Sequence, residues 1–304
     1  MKKDEFKSGY AAVLGRPNVG KSTLVNYLLK ENISIVSDKP QTTRDSIIAI
    51  LSGEDYQVIL VDTPGIHAPR TKLGEYMVSS AFESGKDADE RIVIVDAPAG
   101  ITAEDRSLFS MLKKENSTAA YTWTAVLINK IDMVSKQDIL PVIDACRREI
   151  ECDDYIPVSA LTGENLDLVL RRIVERLPPG PAYYPPEQLT DKSERFIVGE
   201  LIREQALLLC RQEVPHAVAV EVDTFKEDAG RKVLIQATIF LERQTQKGII
   251  IGHNGRMLKQ IGICARKKIE EFLQKSVYLQ LWVKVQENWR KDDIFLRRLG
   301  YKKT

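Results

Sequence analysis

The stretch AAVLGRPNVGKSTLVNYLLK, residues 11 to 30, decides the fold. An apolar run, AAVL, stops at Gly15, and a helical pattern, STLVNYLLK, starts at Ser22. The eight residues GRPNVGKS lie between them. Gly15 and Gly20 let the backbone turn tightly enough to aim successive N–H groups at one point, Lys21 adds a compact positive charge, and Ser22 offers a hydroxyl to Mg²⁺. A strand, a glycine-bounded turn and a helix in this order form the context that a loop gripping a triphosphate requires.

Outward from this loop, the short runs YQVILVD, RIVIVDA, TAVLINK and YIPVSA alternate with amphipathic stretches such as NLDLVLRRIVERL. Buried parallel strands with crossover helices have this signature, so an α/β fold with a doubly wound, mainly parallel sheet is expected. Ligands of such sheets bind beyond the carboxyl ends of the strands. Asp62, Thr63, Pro64 and Gly65 stand at one such end, where Asp62 is placed to hold the magnesium shell and the Gly65 N–H to reach a γ-phosphate. Asn129, Lys130 and Asp132 follow another strand. The Asp132 carboxylate can accept both N1–H and the exocyclic amine of guanine, whereas adenine lacks the N1 proton and leaves the acid unpaired. Ser159 and Ala160 close a further strand, within reach of the guanine O6. Together with Gly15, Arg16, Pro17, Asn18, Val19, Gly20, Lys21, Ser22 and Thr23, these residues predict a GTP/GDP site with Ser22, Thr43 and Asp62 around Mg²⁺.

Thr43 lies in SDKPQTTRD, between the first helix and the second strand, where a loop can close over the nucleotide. It is taken as the residue that binds Mg²⁺ only when the γ-phosphate is present, with Thr42 as its rival. Loss of those contacts on hydrolysis would release the loop. A glutamine that orients the attacking water would follow Gly65 in Ras-like enzymes, but Ile66 stands there and cannot hydrogen-bond a water. His67 comes next as a weaker candidate. Lys21, Thr43 and, inside the phosphate loop, Asn18 are therefore the expected catalytic residues.

The composition fits a globular protein: 304 residues, 43% hydrophobic and 29% charged. There is no signal-peptide pattern and no apolar run of spanning length, so a cytoplasmic protein is expected, and a monomer. Cys146, Cys152, Cys210 and Cys264 show no CxxC spacing, and the three histidines stand far apart, which indicates neither a disulfide frame nor a zinc site. The net charge of +1 hides an asymmetry. Residues 1–180 carry 22 Lys/Arg against 27 Asp/Glu, and residues 181–304 carry 22 against 16. The proline cluster in LPPGPAYYPPEQ marks the change, so the chain divides into a GTP-binding domain over 1–178, a semi-rigid linker over 179–192 and a second domain over 193–304. Only the second domain is expected to meet a polyanion.

The second domain begins with a helical pattern, FIVGELIREQALLLCRQEV, and continues with strand patterns AVAVEV, VLIQATIFLE and VYLQLWVKVQ. By pattern alone GIIIG also reads as a strand. Next comes GHNG, Gly252 to Gly255, followed by a helix rich in basic residues. Paired glycines with two residues between them let a turn bring backbone and a helix N-terminus against phosphates, the device by which KH domains hold single-stranded nucleic acid. Gly252, His253, Asn254, Gly255, Arg256, Lys259, Arg266 and Lys267 are thus the expected RNA-binding residues. Residues 289–304 form a basic tail suited to RNA, to a membrane surface, or to a capping helix.

The five motifs GRPNVGKST, KPQTTRD, DTPGIH, NKID and VSA, continued by EQLTDKSERFIVGELIRE, EVPHAVAVEV and IIIGHNGRMLKQIG, make the chain similar to the Era-type GTPases, within the class that replaces the catalytic glutamine by a hydrophobe. The resemblance covers nearly the whole chain. It implies a type II KH domain with a short helix at GIIIG, and a potassium ion held by Asn18 that acts where other GTPases use an arginine finger. It also implies binding near the 3′ end of small-subunit (16S) rRNA in 30S assembly, a GTP-favoured RNA-competent arrangement, and partial contact with the inner membrane. His253-Asn254 departs from the lysine such loops often present. The alternatives are an RNA-binding module with slow nucleotide turnover and a membrane-associated signalling GTPase.

Overall fold

The computed structural model describes residues 5–39, 42–66, 69, 71–116, 122–210, 214–227 and 232–301, in two compact units. The first unit comprises Met1–Ser34, Thr43–Ala68 and Met77–Asp191. Its elements are β1 (Lys7–Leu14), α1 (Lys21–Leu29), β2 (Ile47–Ser52), β3 (Tyr56–Asp62), most of α2 (Lys72–Lys86), β4 (Glu90–Asp96), α3 (Ala103–Asn116), β5 (Trp123–Asn129), α4 (Lys136–Glu149), β6 (Asp154–Pro157) and α5 (Leu166–Arg176), the first turn of α2 up to Tyr76 belonging to the second unit. The strand order is β2-β3-β1-β4-β5-β6, parallel throughout except that β2 runs antiparallel to β3. β4 and β5 are buried at every position, as a sheet covered on both faces requires. The expected doubly wound sheet is thus present. The turns after Leu14, Asp62, Asn129 and Pro157 carry the nucleotide motifs.

The proline-rich stretch expected as a linker is fastened to this unit, which runs to Asp191. Ser8 N–H donates to the Pro178 carbonyl (3.2 Å) and Gly180 N–H to the Phe6 carbonyl (2.9 Å). The fully buried Gln57 side chain accepts from the N–H groups of Tyr183 (2.7 Å) and Tyr184 (2.9 Å) and donates to the Tyr184 carbonyl (2.8 Å). Farther on, Ile50 N–H donates to Leu189 O (2.9 Å). Prolines exclude helix, yet they leave carbonyls free to accept, and these neighbours supply the donors.

One buried group in this unit is left at a cost. Glu90, 1% exposed, opens β4, and neither of its carboxylate oxygens has a hydrogen-bond partner. Burial pushes its acid up to about 8, helped by the Asp89 charge and opposed by Arg176 and Lys7. The folded state therefore binds the proton more tightly than the unfolded chain does. The contribution to stability is complete below about pH 4.5 and is lost as pH rises toward 8. Glu90→Gln should match the wild type near pH 5 and exceed it by on the order of 3 kcal/mol at pH 8. Urea unfolding of the two proteins at both pH values checks this; a difference that does not change with pH would show the reading to be wrong.

The second unit comprises Ile35–Thr42, Pro69–Tyr76 and Lys192–Thr304. Its main elements are α6 (Glu194–Leu209), α7 (Val214–Ala217), β7 (Ala219–Lys226), β8 (Val233–Leu241), α8 (Gln244–Ile251), α9 (Arg256–Leu273), β9 (Val277–Val285) and α10 (Asp293–Arg298). Ser193 caps α6 through Phe196 N–H. β8 is central, antiparallel to β7 and parallel to β9, and the α8–α9 pair makes the crossover that parallel strands need. GIIIG, a strand by pattern alone, is the end of helix α8 and the start of the following turn. A run of three apolar residues carries no period of its own, and the flanking Gln244–Lys247 sets the helix. The expected basic tail is a folded cap. Trp289 is fully buried and donates Nε1–H to Ala217 O (2.8 Å), and Phe295 packs edge-on to Phe240 at 5.0 Å between ring centres. Arg298 gives two hydrogen bonds to Glu221, at 3.0 and 2.6 Å, and Arg290 pairs with Glu242. Among the described residues no helix is long and apolar enough to cross a membrane.

The two early segments of this unit are tied to it by side chains. The Val36 N–H donates to Glu204 (3.1 Å), and Arg203 donates to the Thr42 carbonyl. Lys72 pairs with Asp293, and the Tyr76 ring meets that of Tyr301. Glu204 also receives Lys268 of α9 at 2.7 Å.

Candidate functional site

The loop GRPNVGKS leaves β1 at Gly15 (φ 153°) and enters α1 at Gly20. Gly20 has φ 102° and precedes α1, and a Cβ there would lie 2.3 Å from Asn129 Nδ2, so no other residue fits. Lys21, 6% exposed, donates Nζ–H to the carbonyls of Gly15 (3.0 Å) and Arg16 (2.9 Å). Burial lowers its ammonium to about 8, against the opposing pull of Asp62. Phosphate oxygens brought to this point restore the charged form that burial disfavours. Val19 sits fully in the core, while Asn18 is exposed in the left-handed region with φ 64°, a conformation asparagine tolerates better than most residues.

Three oxygens converge beside the loop. Ser22 Oγ donates to Asp62 at 2.7 Å and lies 2.9 Å from Thr43 Oγ1. Thr42 Oγ1 faces its own loop instead, bonded to Lys39 O at 2.6 Å and close to Ser37 Oγ. Asp62 is fully buried, its Oδ1 has no hydrogen-bond partner, and burial raises its acid, with the Ser22 hydroxyl and Lys21 opposing. A buried carboxylate oxygen without a donor, flanked by two hydroxyls, is a donor set that fits a hard cation such as Mg²⁺. Thr63, by contrast, turns its hydroxyl inward to Val13 O (2.6 Å). Ile66 packs in the core, its N–H bonded to Gly15 O (3.2 Å), so it takes the place of no water-orienting side chain. His67 lies outside the described residues.

Asn129 fastens three loops together. Its Nδ2 donates to Val19 O (2.7 Å) and its Oδ1 accepts from Ala160 N–H (2.8 Å). Ser159 Oγ donates to Asp132 Oδ1 (2.6 Å), orienting the carboxylate that remains exposed toward solvent. Arg16, expected among the nucleotide-binding residues, turns its guanidinium to Asp105 (3.4 Å) and Asp96 (3.6 Å). Those carboxylates, 80 and 89 residues away along the chain, were not legible as partners from the loop's sequence.

In the second unit, GHNG is a turn in which Gly252, Asn254 and Gly255 all have positive φ (69°, 50° and 76°), and no side chain caps α9 behind it. The N–H groups opening α9 are thereby free of a competing side-chain acceptor. A groove of about 450 Å³ runs from the turn between α9 and β9, lined by Gly255, Leu258, Lys259, Gly262, Ile263 and Arg266, with Leu279 and Leu281 across from them. The α9 residues recur at helical spacing on one face. His253, Asn254 and Arg256 are exposed at its mouth. Lys267 is one step off that face and pairs at 4.0 Å with Glu271, whereas Lys232, which the sequence reading did not single out, lines the groove.

A triphosphate loop, a metal-suited oxygen cluster and a guanine-suited acid on one α/β sheet define a P-loop GTPase, and the groove beside GHNG adds a KH domain. The 50S ribosome-binding GTPase family model matches residues 10–130 and the KH domain model residues 213–290. GTPase Era of Clostridium perfringens is 45% identical over 98% of this chain and 99% of its own, and that of Ruminiclostridium cellulolyticum 44% over 98% of each. The chain belongs to the Era GTPase family and is a GTP-binding, GTP-hydrolysing protein. A crystal structure of Era in complex with MgGDPNP and nucleotides 1506–1542 of 16S ribosomal RNA superposes with TM-score 0.93, at 37% identity, over 98% of this chain and 100% of that one. A single-residue variant of Aquifex aeolicus Era bound to GDP·AlF4⁻ gives 0.92 at the same identity and coverage.

Proposed function

We propose that this GTPase binds the 3′-terminal region of small-subunit rRNA through the α9–β9 groove and assists 30S assembly, with its hold on RNA governed by the nucleotide. The observation that carries the reading is the uncapped α9 N-terminus behind the GHNG turn, opening onto a groove with apolar walls and the cations Lys232, Lys259 and Arg266. Phosphates suit the turn and unstacked bases suit the walls. At the nucleotide, Ser22, Thr43 and Asp62 would hold Mg²⁺, which would supply positive charge against the phosphates. Lys21 grips those phosphates, and Asp132 reads guanine, while the Ala160 N–H is held by Asn129 Oδ1 (2.8 Å). Thr43, rather than Thr42, reports the γ-phosphate, because its hydroxyl is the one beside Ser22. Asn18 helps hold an activating potassium ion, as the resemblance implies, from its place in the phosphate loop, while Ile66 is packed in the core. The protein acts as a cytoplasmic monomer with peripheral contact at the inner membrane.

The test is binding of a 3′-terminal small-subunit rRNA fragment to the full chain loaded with a non-hydrolysable GTP analogue or with GDP, with turnover measured in potassium and in sodium. Tighter binding in the GTP form than for a scrambled strand, and turnover several-fold faster in potassium, are expected. Equal affinity for both strands would remove the rRNA assignment.

A further inference from the structure

Asp96 ends β4 directly opposite Asn129 in the parallel register, and Ala97 N–H donates to Asn129 O at 2.8 Å. Its carboxylate is therefore carried to the base-reading loop by a buried strand pair. Oδ2 accepts from Lys130 Nζ at 2.6 Å, Oδ1 accepts from Ala99 N–H at 3.3 Å, and Arg16 Nη2 stands 3.6 Å away. Asp96 is 7% exposed and Asp105 1%, and Thr102 fixes Asp105 through its N–H (2.9 Å) and hydroxyl (2.7 Å).

Lys130 is held in the left-handed region, φ 67° and ψ 37°, where a lysine backbone is strained. Such a conformation persists only where surrounding groups over-determine it. Two groups do so here: the Asn18 carbonyl of the phosphate loop, 2.9 Å from Nζ, and Asp96. Both bonds start from the Lys130 ammonium, but only Asp96 meets it with a full opposite charge, on a side chain 9% exposed, so Asp96 holds it more strongly than a neutral carbonyl does. Arg16, whose buried Nε and Nη2 lack hydrogen-bond acceptors, stays beside the same carboxylate by charge.

We infer that Asp96 is a positioning residue of the nucleotide site: its carboxylate holds Lys130 of the base-reading loop against the phosphate loop, with Arg16 on its other side, so that the grips on base and on phosphates are set together. The inference rests on the guanine-nucleotide reading of the site. Nothing in the GRPNVGKS or NKID motifs names Asp96, which lies in a strand between them.

The test measures release of N-methylanthraniloyl-GDP from the full chain. Binding of this probe by the wild type checks the underlying reading, and the variants check the inference separately. Asp96→Asn should speed release about ten- to a hundredfold, because the ion pair with Lys130 becomes a bond from the ammonium to a neutral amide oxygen. Asp96→Glu, which keeps the charge, should restore release to within about threefold of wild type. In a Lys130→Met background Asp96→Asn should add less than about twofold, since the group it positions is gone. Unchanged release, a Glu variant as fast as the Asn variant, or the same multiplication without Lys130 would each overturn the inference. If Asp96→Asn does not fold, Asp96→Ser is read in the same way, and failure of both makes Asp96 a structural residue and overturns the inference as well.

Discussion

Asp132→Asn is expected to reverse the nucleobase preference of this GTPase, weakening GTP by roughly 10²- to 10³-fold while xanthosine triphosphate becomes the better ligand. In the proposed site Asp132 would accept two hydrogen bonds from guanine, from N1–H and from the exocyclic amine. With asparagine the oxygen still accepts N1–H, but the amide nitrogen faces an amine, donor against donor. Xanthine carries a carbonyl in place of that amine, which the amide can serve. Ser159 makes the geometry credible, since its hydroxyl, 2.6 Å from Oδ1, orients the acid before any base arrives. A buried or half-buried polar group left unpaired costs about 1–3 kcal/mol, and two mismatched groups set the size of the effect. Competition binding with both triphosphates decides it. Unaltered preference would mean that the acid does not read the base.

Gly255→Asp is expected to lower affinity for single-stranded RNA by about ten- to a hundredfold while leaving GTP binding and the fold unchanged. At this position φ is 76° and no atom lies within 4 Å of where a Cβ would stand. Aspartate tolerates the left-handed region and suits the end of a helix, so the substitution is mild for the folded chain. For a phosphate it is not mild, because it places a negative charge at the uncapped N-terminus of α9. Gly252 would be a poor choice for the same test, since a Cβ there meets Met257 Cβ at 2.7 Å and a loss of binding could come from misfolding. Retained RNA affinity in Gly255→Asp would reduce the turn to a structural link between two helices.

The parts of this chain that were legible in its sequence are those whose meaning is local. GRPNVGKS, NKID and GHNG each state their geometry within a few residues, because turn, charge and hydroxyl are contiguous. The GIIIG stretch was ambiguous for the opposite reason: three apolar residues fit either period, and only flanking context tells a helix from a strand. Arg16 belongs to a motif and so read as a phosphate ligand, yet its partners Asp96 and Asp105 arrive through the tertiary fold. The proline stretch read as a spacer because composition says what prolines prevent, not which donors come to meet their carbonyls. Gln57, an ordinary strand residue in the sequence, supplies the acceptor and donor that fasten Tyr183 and Tyr184.

One of the crossings between the two compact units falls between Thr42 and Thr43, a single peptide bond in a loop of the nucleotide-binding half of the sequence. A protein fragment ending at Asp191 would keep every residue proposed to face phosphate or base and still be altered in the stretch just before Thr43. It would lack Arg203 and Glu204, neighbours on one helix that fasten the loop at Thr42 and at Val36. Such a fragment would differ from the full chain not only by a missing unit but in what holds Ile35–Thr42, eight residues that stand early in the sequence and are fastened by residues far along it.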